Sequence, residues 1–130
     1  MGTSERPQEA VAERISEEIA AIHEDSYGSP PKSVSTYLLP DAVLSVVEIV
    51  LLKHEELIVG NGAHGRVREV RKAFQEAIGT TFTATVEHMT GRRVIGFISD
   101  THLDPPFSIE FFKLRPAKAP AEGPGDPESG

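Results

Sequence analysis

The chain has 130 residues, no cysteine and a formal charge of −7. That length fits one domain, and the missing thiols exclude disulfide stapling, thiol catalysis and cysteine-ligated zinc or iron–sulfur centres. The negative charge argues against a general nucleic-acid coat, because phosphate contacts need a cationic face.

Residues 1–8 are polar, with no apolar run of the kind a secretory signal carries, and read as a disordered N-terminus. From Glu9 to Tyr27 the spacing predicts the first helix. Val11, Ile15, Ile19 and Ile22 make one apolar stripe, and Gly28 followed by Pro30 and Pro31 stops it. His23, near the end of this helix, is expected to serve as a favourable C-terminal charge.

Ser33–Leu39 and Ala42–Leu52 are rich in Val, Ile, Leu, Thr and Tyr and predict two strands around a turn at Pro40-Asp41. The second run is apolar on both faces, as a central strand would be. Its one exception, Glu48, needs solvent or a partner. It is also the longest dense apolar stretch and far shorter than the ~20 residues that cross a bilayer as a helix, so no integral membrane segment is expected.

Lys53–Val59 reads as a helical turn or two, broken by Gly60-Asn61-Gly62. Then Val67, Val70, Phe74, Ile78, Phe82, Val86 and Met89 recur every three or four residues and predict one long helix. Gly79-Thr80-Thr81 is a candidate kink within it, and Thr90-Gly91 ends it. Val94–Ser99 and Phe107–Leu114 predict two further strands joined by a loop over Asp100–Pro106. From 116 to 130 the chain is too poor in large apolar residues to fold. The expectation is therefore a single α+β domain over 9–115: a two-layer sandwich in the order α-β-β-α-β-β, with helices on one face of a four-stranded, mainly antiparallel sheet. About 100 folded residues bury only roughly 60–65% of their unfolded surface, so a homodimer interface would add useful burial.

Three features could carry chemistry. Gly60-Asn61-Gly62-Ala63-His64-Gly65 spells the dinucleotide fingerprint. Its context is wrong, because only three apolar residues precede it and no second strand with an acidic end follows. No cofactor is expected. Gly62, His64, Gly65, Arg66, Arg68, Arg71 and Lys72 together form a basic helix opening whose backbone N–H and guanidinium groups could take an anion or a partner's carboxylates. The third feature is Asp100, His102 and Asp104, which alternate and suit a metal ion chemically, with His88 or Glu48 as further ligands to test; Pro105 and Pro106 make a solvated turn the commoner reading. His54-Glu55-Glu56 opens like a zinc-protease motif, but Ile58 stands where the second histidine belongs. Neither Ser45 nor Ser99 lies in a nucleophile signature.

The chain resembles the MpsC-like family, formerly described only as a domain of unknown function and associated with a sodium-translocating, membrane-potential-generating system. The resemblance rests on Pro31-Lys32-Ser33-Val34 entering the first strand, and on Gly65-Arg66 and Val70-Arg71 opening the long helix. Thr90-Gly91, Val94 and Ser99-Asp100 continue it in the same order. Leu52-Lys53-His54-Glu55 departs from the family's Thr-Pro-Ala-Glu-like start to the short helix. The resemblance implies a non-enzymatic accessory protein, linked to membrane ion or bicarbonate transport machinery and partnered by a transporter subunit. No catalytic residues come with it. With no leader and no cysteine, the expected location is cytoplasmic. A small-anion or ligand sensor at Gly62–Arg66, Arg68 and Arg71 is the alternative. A metal-dependent enzyme on Asp100, His102 and Asp104 is the third reading.

Overall fold

A computed structural model describes residues 6–116, in the order α1 (Arg6–Tyr27), β1 (Ser33–Leu39), β2 (Ala42–Glu48), α2 (Lys53–Gly60), α3 (His64–Thr90), β3 (Val94–Leu103) and β4 (Pro106–Leu114). The terminal segments read from the sequence as disordered lie outside the described residues, apart from Arg6–Gln8, which open α1, and Pro116. The sheet is four-stranded and antiparallel throughout, in the order β1-β2-β4-β3. Its two hairpins lie side by side, with β2 and β4 central. α1 packs over β1, α3 over β3, and the two helices pack on each other, giving the expected two-layer α+β sandwich.

The apolar stripe of α1 goes where its spacing sends it, with Ile15 and Ile19 fully buried. They meet Val43, Val47, Phe112 and Leu114 from the two central strands, and Phe82 and Val86 from α3. Gly91 closes α3 in the left-handed conformation (φ 71°), its N–H bonded to the Glu87 carbonyl at 2.8 Å. Arg92 then ties three chain ends together, donating to the Pro40 carbonyl, the Arg115 carbonyl and Asp41 Oδ1 at 2.6–2.7 Å.

Two strand boundaries differ from expectation. β2 ends at Glu48, which is exposed and so needs no partner. Past it, Leu51 and Leu52 turn toward α2, where Glu55 Oε1 accepts the Leu52 N–H at 2.7 Å. β3 runs on to Leu103, because Asp100–Leu103 find ladder partners in Ile109–Pro106; the expected loop is mostly strand.

The larger correction concerns α3. It runs unbroken from His64 to Thr90, but its buried face is Val67, Arg71, Gln75, Gly79, Phe82 and Val86. The N-terminal half is rotated by about one residue from the stripe that apolar spacing predicts. Val70 and Phe74 are left exposed, while Arg71 and Gln75 go inside. Gly79 shows part of the reason, since a Cβ there would lie 2.8 Å from Cε2 of Phe97. Any larger residue there would have to displace the Phe97 ring from its place between α3 and β3.

Candidate functional site

Strand alternation puts a polar row on the helix-facing side of the sheet. Thr36, Ser45, Glu110 and Ser99 stand opposite one another across β1, β2, β4 and β3. Burying them costs free energy unless they bond. Ser16 Oγ donates to Thr36 Oγ1 at 2.7 Å, and Thr36 and Ser45 share a bond of 2.9 Å. Gln75 reaches down from α3, its Nε2 donating to Thr101 Oγ1 at 2.9 Å and to Glu110 Oε2 at 3.4 Å. Ser108 Oγ donates to the same carboxylate oxygen at 3.2 Å.

A second polar group sits where α1, α2 and α3 meet. Arg71 Nε and Nη2 donate to Glu55 Oε2 and Oε1 at 2.7 and 2.8 Å, a two-pronged ion pair. The guanidinium carbon lies 4.5 Å over the Tyr27 ring, and Tyr27 in turn packs against Phe74 and His23. Burial pushes the Glu55 carboxyl up, but the Arg71 and Leu52 hydrogen bonds and the Arg71 charge outweigh it and hold the group below its ordinary value. Burial pushes the Tyr27 hydroxyl up to about 12. His23 is not the C-terminal charge expected of it. Burial, with the Arg71 charge beside it, lowers its pKa to about 4, so the ring is neutral at pH 7.

Burial raises Glu110 to about 7, against the hydrogen-bonding pull of Ser108 and Gln75. The two titrations oppose each other. A carboxyl raised in the fold stabilises below its ordinary pKa, and that stability is lost as pH rises through about 7. A histidine lowered in the fold takes stability away as pH falls from 6.5 toward 4. Glu110→Gln removes the first and leaves the second. We expect the parent protein to be nearly flat in unfolding free energy between pH 4 and 8. The variant should gain on the order of 2–3 kcal/mol over the same range. Urea titrations at several pH values check this, and parallel profiles would contradict it.

The basic helix opening is not one cluster. Gly62, His64, Gly65, Arg66, Arg68 and Lys72 are exposed, but Arg71 is only 2% exposed and committed to Glu55. At 100° per residue, Arg66 lies on the flank of α3 that carries Val70 and Phe74, whereas Arg68 and Lys72 lie on the opposite flank. Lys72 lines a cleft of about 600 Å³ with Gln75, Gly79, Phe97 and Ser99. The glycine-rich segment joins two helices. Gly60 ends α2, Gly62 holds φ 83° in the connection, and Gly65 is already in α3. No strand leads into it, so the phosphate-cradling geometry of the fingerprint is not built.

Of the metal candidates, Asp100 and His102 share the open side of β3, as alternation requires, and Asp104 falls in the β3–β4 turn. His102 Nδ1 lies 2.9 Å from the Pro105 carbonyl and its ring stacks on Phe107. Among the described residues no three His, Asp or Glu side chains are gathered to hold a metal ion.

Glu55, Gln75 and Glu110 escaped the sequence reading. Alternation along β4 misleads for Glu110, because the other parity, with Phe107, Ile109 and Phe111, is the more apolar and would turn Glu110 outward. No signal marked Glu55 or Gln75 as buried either.

Over residues 8–115 the chain matches the family model described as Na+-translocating membrane potential-generating system (MpsC). No curated protein and no solved structure matches it.

Proposed function

The chain belongs to the MpsC family of the Na+-translocating membrane potential-generating system, and we propose that it is an accessory protein that works by docking on a subunit of that system. The observation that carries this reading is the flank of α3 where Val70 and Phe74 stand exposed beside Arg66, with Leu57 of the adjoining α2 67% exposed. Large apolar side chains next to an arginine are what a protein interface uses as anchors. In a chain of net charge −7, a local cation on that flank suits an acidic, partly apolar segment of the partner.

Among the described residues no helix is long and apolar enough to cross a membrane, and in our reading the contact is a peripheral one. We place it on the cytoplasmic side, in keeping with a chain that has no cysteine. The anion-sensor alternative is weaker. Its cations sit on opposite flanks of the helix, and the buried one already has its carboxylate.

Capture from detergent-solubilised membranes tests the docking reading. The tagged parent protein should recover a membrane subunit of the sodium-translocating system. A variant with Arg66→Glu and Phe74→Glu should lose it by at least about tenfold. Arg66 is exposed and Phe74 half-exposed, and circular dichroism verifies that the variant folds. Equal recovery with the variant would refute the site, and recovery of no such subunit would refute the reading.

A further inference from the structure

The sheet has a second face, and among the described residues nothing covers it. α1 and α3 pack on the side that carries Val43, Val47 and Phe112. On the other side, Tyr37, Leu44, Phe111 and Ile98 stand opposite one another in an unbroken apolar row across all four strands. Val46 and Ile109 extend it in the next row, between Ser35 and Asp100. Tyr37 is 53% and Ile98 61% exposed. The two sides are thus inverted in part: a polar row lies under the helices and an apolar row faces out. An antiparallel sheet with one solvated face would carry polar residues there, and an apolar patch of this extent marks an interface.

We propose that this face is the seat of a second copy of the chain, packed sheet against sheet about a two-fold axis. The inference goes beyond the docking of α3 and stands independently of it. Residues 1–5 and 117–130 contain a single large apolar residue, Met1, too little to match a patch of this extent. The charges on the face favour self-association. Lys113 lies at one end, beyond the apolar row, and Glu48 and Asp100 lie toward the other.

An axis running across the strands, midway between the two apolar rows, sets Leu44 on Val46 and Phe111 on Ile109 of the second copy. The same rotation lays Lys113 over Phe107 and beside Glu48 of the second copy, twice by symmetry. Strands ~4.8 Å apart and rising ~3.3 Å per residue give a footprint of roughly 20 by 23 Å. That is roughly 460 Å² on each copy, the size of a weak, reversible interface. Both helix layers face outward in such a dimer, so each copy presents its α3 flank and two partner contacts can act together.

Sedimentation of the full chain from about 1 to 200 µM tests the proposal, with dissociation expected in the micromolar range. Ile98→Glu, which the same rotation sets opposite Asp100 of the second copy, should weaken association by at least about tenfold, as should Lys113→Glu. Combining Lys113→Glu with Glu48→Lys should restore it. These side chains are exposed, and circular dichroism verifies that each variant folds; if Ile98→Glu does not, the charge exchange alone decides. A monomer throughout the range would overturn the proposal. So would a dimer indifferent to these changes, or one lost instead on Phe74→Glu.

Discussion

Arg71→Met is expected to destabilise the fold by about 3–5 kcal/mol, the cost of leaving a buried carboxylate without its counter-charge. Glu55 sits under 10% exposed at the start of α2, and in the variant it keeps only the Leu52 N–H. The stacking of the guanidinium on Tyr27 is lost as well. The same argument sets a second expectation. Glu55→Leu in the Arg71→Met background should recover most of the loss, because a buried ion pair and a packed apolar pair are often close in stability. About 1 kcal/mol should remain missing for the uncapped Leu52 N–H. Urea unfolding of the two single variants and the double variant closes the cycle. A loss below about 1 kcal/mol for Arg71→Met would return that side chain to the surface set and reopen the anion-sensor reading.

The second large effect separates two phenylalanines that the sequence treats alike. Phe74 and Phe82 both lie on the apolar stripe predicted for α3, yet Phe82 is 1% exposed and Phe74 41%. Phe82→Ala empties a site among Ile15, Val43, Val86 and Phe112 and should cost about 3–5 kcal/mol. Phe74→Ala loses a half-exposed ring that rests on Tyr27 at 5.0 Å and should cost about 1 kcal/mol or less. Its larger effect should be on partner capture. Equal stability losses at the two positions would mean that α3 is not rotated.

These two variants also mark where the sequence could be read and where it could not. The α1 stripe, the central apolar strand and the two hairpins were legible because each buries apolar side chains against apolar neighbours. Val11, Ile15, Ile19 and Ile22 needed no particular partner to choose their face. The N-terminal half of α3 did not follow that rule. Its orientation is decided by what Arg71 and Gln75 meet, and their partners Glu55, Thr101 and Glu110 lie 16, 26 and 35 residues away. Once those bonds are available, a polar face can go inside and Val70 and Phe74 can stay out. Apolar periodicity scores side chains by type, so it sent the helix round by one residue. The basic opening was visible as a string, but only the fold parts Arg71 from the exposed Arg66, Arg68 and Lys72. Likewise, the open face of the sheet emerges only when four strands are placed in register.

If α3 is the docking element, its exposed flank meets a subunit of the sodium-translocating system. A photo-crosslinking amino acid at position 74, introduced into the full chain in living cells, tests it most directly. An adduct to a membrane subunit of that system is expected, absent when the crosslinker stands at position 98, where an adduct to a second copy should form instead. A residue-74 probe that yields no membrane-protein adduct, while the chain is folded and the system is present, would contradict it.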